Sequence, residues 1–150
     1  MQRTAGITII NETDLPVPLT RNRAAEAASL IGEKENCVFS FVEVVYVDEP
    51  GIIEINKKHL NHDYVTDIIT FGYNEPGEAG PIEATLFCCA HRIFEQAEEL
   101  QVDVNSEFLR VFVHGLLHLA GYGDYQAVQK ASMREKESFY LNYIKESNAK

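Results

Sequence analysis

Residues 105–124 read Asn-Ser-Glu-Phe-Leu-Arg-Val-Phe-Val-His-Gly-Leu-Leu-His-Leu-Ala-Gly-Tyr-Gly-Asp. Phe108, Leu109, Val111, Phe112, Val113, Leu116, Leu117 and Leu119 leave this stretch so little polar surface that it is predicted to be a central, buried helix. Asn105 is placed to cap it, the helix is expected over Ser106 to Ala120, and Gly121 ends it in the left-handed conformation that glycine adopts without strain.

Working outward, Gly6 to Ile10 is short and β-branched and predicts a strand, ended by the polar run Asn11 to Asp14. Thr20 is a candidate N-cap for an Ala-rich helix from Arg21 to Ile31, with Gly32 as its stop. Phe39 to Val47 alternates and is rich in Val and aromatics, so it is the second strand. Asp48 to Pro50 opens a short helix through Leu60, and Thr66 to Tyr73 is the third strand. Asn74 to Pro81, with two Pro and two Gly, is a loop, followed by a strand over Glu83 to Cys89 and a helix over Ala90 to Leu100. A last helix runs from about Tyr125 to Lys145. No repeat or linker interrupts the 150 residues, which predicts a single domain over 1–150 of the α+β class. Its architecture is a small mixed four-stranded sheet covered by about five helices, with a functional site at the end of the central apolar one.

Composition narrows the classes of function. The start of the chain shows no signal-peptide pattern and no apolar run reaches membrane-spanning length, so a cytoplasmic protein without membrane association is expected. Cys37, Cys88 and Cys89 do not form a disulfide framework, and all three are expected to be free thiols. A net charge of -10 excludes a protein that coats nucleic acid through general basicity, because such affinity comes from Lys and Arg neutralising phosphates. A local basic patch beside a cation remains open, and Lys57, Lys58, Arg92 and Arg110 are its candidates, each with the ordinary alternative of a solvated helix face.

His114 and His118 lie four apart, so on a helix both rings project from one face about a turn from each other. Beyond the Gly121 bend, Asp124 can swing back toward the same point. Two imidazoles and a carboxylate suit Zn2+, and three protein ligands leave a position open, as in catalytic rather than structural zinc sites. The ordinary alternative is that both histidines are simply hydrogen-bonded helix residues. Adjacent Cys88 and Cys89 point to opposite faces of a strand and do not form a second metal site.

The segment from His114 to Tyr122 resembles the signature HGxLHLxGYDH of the YbeY endoribonucleases, matching it at His114, Gly115, Leu117, His118, Leu119, Gly121 and Tyr122. Asn56, the stretch Thr66 to Phe71, Met133 and Glu137 are similar to further features of that family. The resemblance implies a zinc-dependent, single-strand-specific endoribonuclease acting in 16S rRNA 3'-end maturation and ribosome biogenesis. Its partners would be RNA and the small ribosomal subunit or assembly factors. Three departures stand out: Asp124 falls where the family has its third zinc-ligand histidine, Leu60 falls where it has an arginine, and Ala84-Thr85 replaces a Gly-Asp. His59 and Asp67 are candidate catalytic residues, each with an alternative: packing on its helix for His59, bracing a loop for Asp67. Two other functions compete, a noncatalytic ribosome-assembly or RNA-binding factor with a structural zinc, and a zinc peptidase. The peptidase lacks its usual base, because Gly115 occupies the position of the glutamate in HExxH.

Overall fold

Alternation along β2 (Phe39–Val47) decides which way the sheet is covered. Val42, Val44 and Tyr46 point to one face, where they meet Leu86, Cys88, Phe108, Phe112 and Leu116, while Val45 and Val47 point to the other and meet Ile52, Ile69 and Cys89. Because the period of a strand is two, one strand thereby serves two separate apolar layers. The computed structural model describes residues 6–62, 64–74, 80–123 and 126–148.

The sheet order is β1 (Gly6–Asn11), β2, β4 (Ile82–Cys89), β3 (Ile68–Gly72). β1, β2 and β4 run parallel, and β3 joins β4 antiparallel at the edge. This is the mixed four-stranded α+β sheet expected from the pattern, with five helices among the described residues. α1 (Arg21–Glu35) and α4 (Val104–Leu119) cover one face, α3 (Ala90–Leu100) and α5 (Ala127–Asn148) flank α4, and α2 (Glu49–Leu60) covers the other face near β4. The central apolar helix therefore touches α1, α3, α5 and the sheet. No helix among the described residues is long and apolar enough to cross a membrane. Cys37, Cys88 and Cys89 are free thiols, Cys88 and Cys89 buried in the two different layers.

Some element boundaries differ from expectation, and three of them show why. α1 does not stop at Gly32 but continues to Glu35, where Asn36 takes the left-handed position at φ 59° and donates its N–H to the Gly32 carbonyl. Gly32 is instead a site of close approach: a Cβ there would lie 2.7 Å from the Cys37 carbonyl oxygen. α4 starts earlier than Ser106, because Asp103, rather than Asn105, caps it by accepting from the Ser106 N–H. β3 is shorter than Thr66 to Tyr73, since Thr66 and Asp67 belong to the loop that enters it. At the other end of α4, Gly121 takes the positive φ expected, +116°.

Candidate active site

α4 carries the site, and its packing fixes which way each side chain looks. Gly115 faces the sheet, where an added Cβ would meet Ile68 Cδ1 at 2.8 Å and Leu86 Cδ1 at 3.2 Å. With that face held against β3 and β4, His114 is turned toward α5 and His118 toward the bend after the helix. The same packing means that a peptidase-type glutamate at position 115 would point into the sheet and away from the histidines.

His114 Nδ1 donates to Glu137 Oε2 at 2.7 Å. A carboxylate and a backbone carbonyl can only accept, so the partners settle the tautomers: His118 Nδ1 donates to the Tyr122 carbonyl at 3.2 Å. In the neutral form of each ring the lone pair is then on Nε2. This is how metal-ligating histidines are oriented, and it is the observation by which the two imidazoles fit a zinc ion. Among the described residues no three His, Cys, Asp or Glu side chains converge on one point, and Asp124, the expected third donor, lies outside the described residues.

Behind His114 stands a chain of buried charges. Glu137 is 3% exposed and Glu107 1%, and both are bound by Arg110, at 2.9 Å to Glu137 Oε1 and 2.9 Å to Glu107 Oε1. Burial works to raise the Glu137 carboxyl, but the hydrogen bonds from His114 and Arg110 outweigh it and hold its pKa below the ordinary range. Arg110, with a guanidinium fork between two carboxylates, is held firmly charged. Gln96 of α3 extends the chain: its Nε2 donates to Glu107 Oε2 at 3.0 Å and to Asp67 Oδ2 at 3.2 Å. One continuous hydrogen-bonded path thus runs from Asp67 to His114.

The path borders a cleft of about 230 Å³ lined by Asp67, Arg110, His114, Lys130, Met133, Arg134 and Glu137. Asp67 is therefore brought to the same cleft as His114, and its backbone is anchored by the Cys89 N–H bonding its carbonyl at 2.9 Å. His59 is not among the lining residues. It is exposed near the end of α2 and sets its ring edge-on to Phe71 of β3 at 5.0 Å, a contact with the sheet and not with its own helix. Leu60, where the resembled family has arginine, is 46% exposed. Asn56 is 1% exposed and donates to the Tyr64 carbonyl at 3.0 Å, clamping the loop that leads to Asp67.

Glu107, Gln96, Lys130 and Arg134 were not read from the sequence as site residues. Arg110, read as a phosphate-contacting candidate, is instead committed to two carboxylates, and Arg92 to Glu95 and Glu99. An i, i+3 relation joins Glu107 to Arg110, but the partners of Glu137 lie on another helix, beyond any local spacing rule.

With this geometry in place, comparison with known proteins is informative. The family model described as Endoribonuclease YbeY matches residues 9–145. A Chlorobaculum parvum protein named Endoribonuclease YbeY is 38% identical over 121 residues, covering 81% of this chain and 84% of the relative. Its namesake from Chloroherpeton thalassium is 35% identical over 135 residues, covering 90% and 94%. The solution structure of a Thermotoga maritima protein superposes with a TM-score of 0.63 at 30% identity, covering 92% of this chain and 88% of that one.

Proposed function

The chain belongs to the YbeY endoribonuclease family, and from that premise we propose that it is a zinc-dependent endoribonuclease cutting single-stranded RNA in the cytoplasm, in 16S rRNA 3'-end maturation and ribosome biogenesis. The observation that carries the catalytic reading is the pair of imidazoles on α4, each held through Nδ1 by an acceptor so that Nε2 is the nitrogen a ring would offer to a cation, with His114 lining a cleft that also presents Asp67.

His114, His118 and Asp124 would hold the metal. Bound there, a zinc ion supplies a Lewis acid for a phosphoryl oxygen and for the attacking water. The chain's own residues do the rest. Glu137 fixes the His114 ring and, being ionised, raises its basicity as a ligand. Arg110 is hydrogen-bonded to both Glu137 and Glu107, so these two carboxylates are committed to holding it and the His114 ring in place. Asp67 is the lining carboxylate without a guanidinium partner among the described residues, and it is assigned as the proton acceptor, held at one oxygen by Gln96.

A noncatalytic assembly factor is the second reading, favoured by Leu60, which offers no charge where the family's arginine would stand. Cleavage of end-labelled single-stranded RNA separates the two. Activity is expected from the wild type, with loss on chelation, recovery on adding Zn2+, and none from His114→Ala. RNA that is bound but never cut by the zinc-loaded protein would favour the assembly factor.

A further inference from the structure

An acidic protein that takes a phosphodiester must collect cations locally, because the net charge of -10 repels RNA at long range. The cleft repeats the problem on a smaller scale, since Asp67 lines it with a negative charge. Most cations that could answer are already engaged. Arg110 is locked between Glu107 and Glu137, Arg92 between Glu95 and Glu99, and Lys136 faces Glu35 at 3.6 Å. Arg21 donates to the Ile7 carbonyl. Lys57 and Lys58 are exposed on α2, and neither lines the cleft.

Two cations remain at the cleft itself. Lys130 and Arg134 both line it, both are exposed, and neither forms an ion pair among the described residues. They are four apart on α5, hence one turn from each other on the same face, which is also the face that sends Met133 and Glu137 inward. Met133 is 1% exposed and Glu137 3%, so this face of α5 is fixed against α4 and the two cations stand at a set place beside His114. The two cations are separated along the helix axis by about one turn, about 5.4 Å.

We propose that Lys130 and Arg134 are the phosphate-binding pair of this cleft, holding the backbone of single-stranded RNA across the rim beside His114. Arg134, with its planar fork, grips one phosphate through two donors, and Lys130 holds the next as a point charge. The assignment rests on RNA being the substrate, and it gives α5 the role that Leu60 cannot fill on α2.

The test is equilibrium binding of a labelled single-stranded RNA across a salt series. It uses full-length zinc-loaded wild type, Lys130→Ala/Arg134→Ala, and Lys57→Ala/Lys58→Ala, a control that removes the same charge elsewhere. Each phosphate contact on a single strand contributes about 0.7 to the slope of log K against log salt, so losing both should flatten the slope by roughly 1.4. The control should keep the wild-type slope. Arg134→Lys should recover part of the lost affinity. Equal effects from both double variants, an unchanged slope, or no RNA binding by the wild type would overturn the proposal. Cleavage is followed in the same samples: a wild type that binds with the predicted slope but does not cut would remove the nuclease reading and leave the phosphate site standing.

Discussion

The carboxylate of Glu137 shows how much one residue decides. Its Oε2 takes the Nδ1 proton of His114 at 2.7 Å and its Oε1 takes Arg110 at 2.9 Å, so a buried carboxylate is satisfied on both sides. Glu137→Gln keeps the shape but removes the charge and can present an N–H toward His114, which would disfavour the tautomer protonated at Nδ1. Zinc affinity, measured by competition with a chromogenic chelator, should fall about 10- to 100-fold. An unchanged affinity would mean that His114 does not reach the metal through Nε2. Asp124 is tested in the same assay. Asp124→Ala should lower zinc occupancy, whereas Asp124→His should retain it because nitrogen and oxygen donors both suit zinc. Full occupancy in Asp124→Ala would show that the third ligand is another group. At this scale the sequence was most legible, since two histidines one turn apart are visible without a structure. Gln96 was not, because what it does depends on partners eleven and more positions away that only the fold brings within reach.

Among the elements, strands and helices followed the periodicity of their apolar residues, and the errors fell at ends, where a side chain competes for one backbone position. Asn36 outdid Gly32, and Asp103 outdid Asn105, because each supplied the cap from a place the periodic pattern did not mark. α2 shows how an element end can serve the site. Asn61 turns the chain at φ 60°, Asn56 accepts the His62 N–H with its backbone carbonyl at 3.3 Å, and its side chain holds the Tyr64 carbonyl. The loop so clamped delivers Asp67 to the cleft. Asn56→Ala deletes the side-chain hydrogen bond of a buried group and should cost about 1 kcal/mol, lowering the melting temperature by about 2–4 °C. If Asp67 works in the reaction, single-turnover RNA cleavage at saturating enzyme should slow in this variant while zinc content stays that of the wild type. A rate equal to wild type would detach the loop, and Asp67 with it, from the chemistry.

Across the whole molecule, α1, the end of α4 and α5 are joined around one carboxylate. Glu35, the last residue of α1, accepts the Tyr122 hydroxyl from beyond α4 at 2.9 Å and the Tyr140 hydroxyl from α5, with Lys136 of α5 at 3.6 Å. Tyr140 is fully buried, so its hydroxyl has no water to turn to when this acceptor is lost. Burial raises the Glu35 carboxyl, but the two tyrosine hydroxyls and Lys136 lower it by more, and the net shift is downward. A carboxyl depressed in the folded state adds stability that is complete above its unfolded pKa and is lost as pH falls through the folded one. Glu35→Gln removes that titration while leaving an amide oxygen to accept one hydroxyl. Denaturant unfolding near neutral pH should therefore find the wild type more stable than Glu35→Gln by on the order of 1–3 kcal/mol, the difference between charged and neutral hydrogen bonding. That gap should hold down to the ordinary glutamate range and close below it, as the wild-type carboxyl takes its proton. A gap that persists unchanged into strong acid would assign the loss to altered packing around Tyr140, and the joint between α1 and α5 would then be steric and not electrostatic.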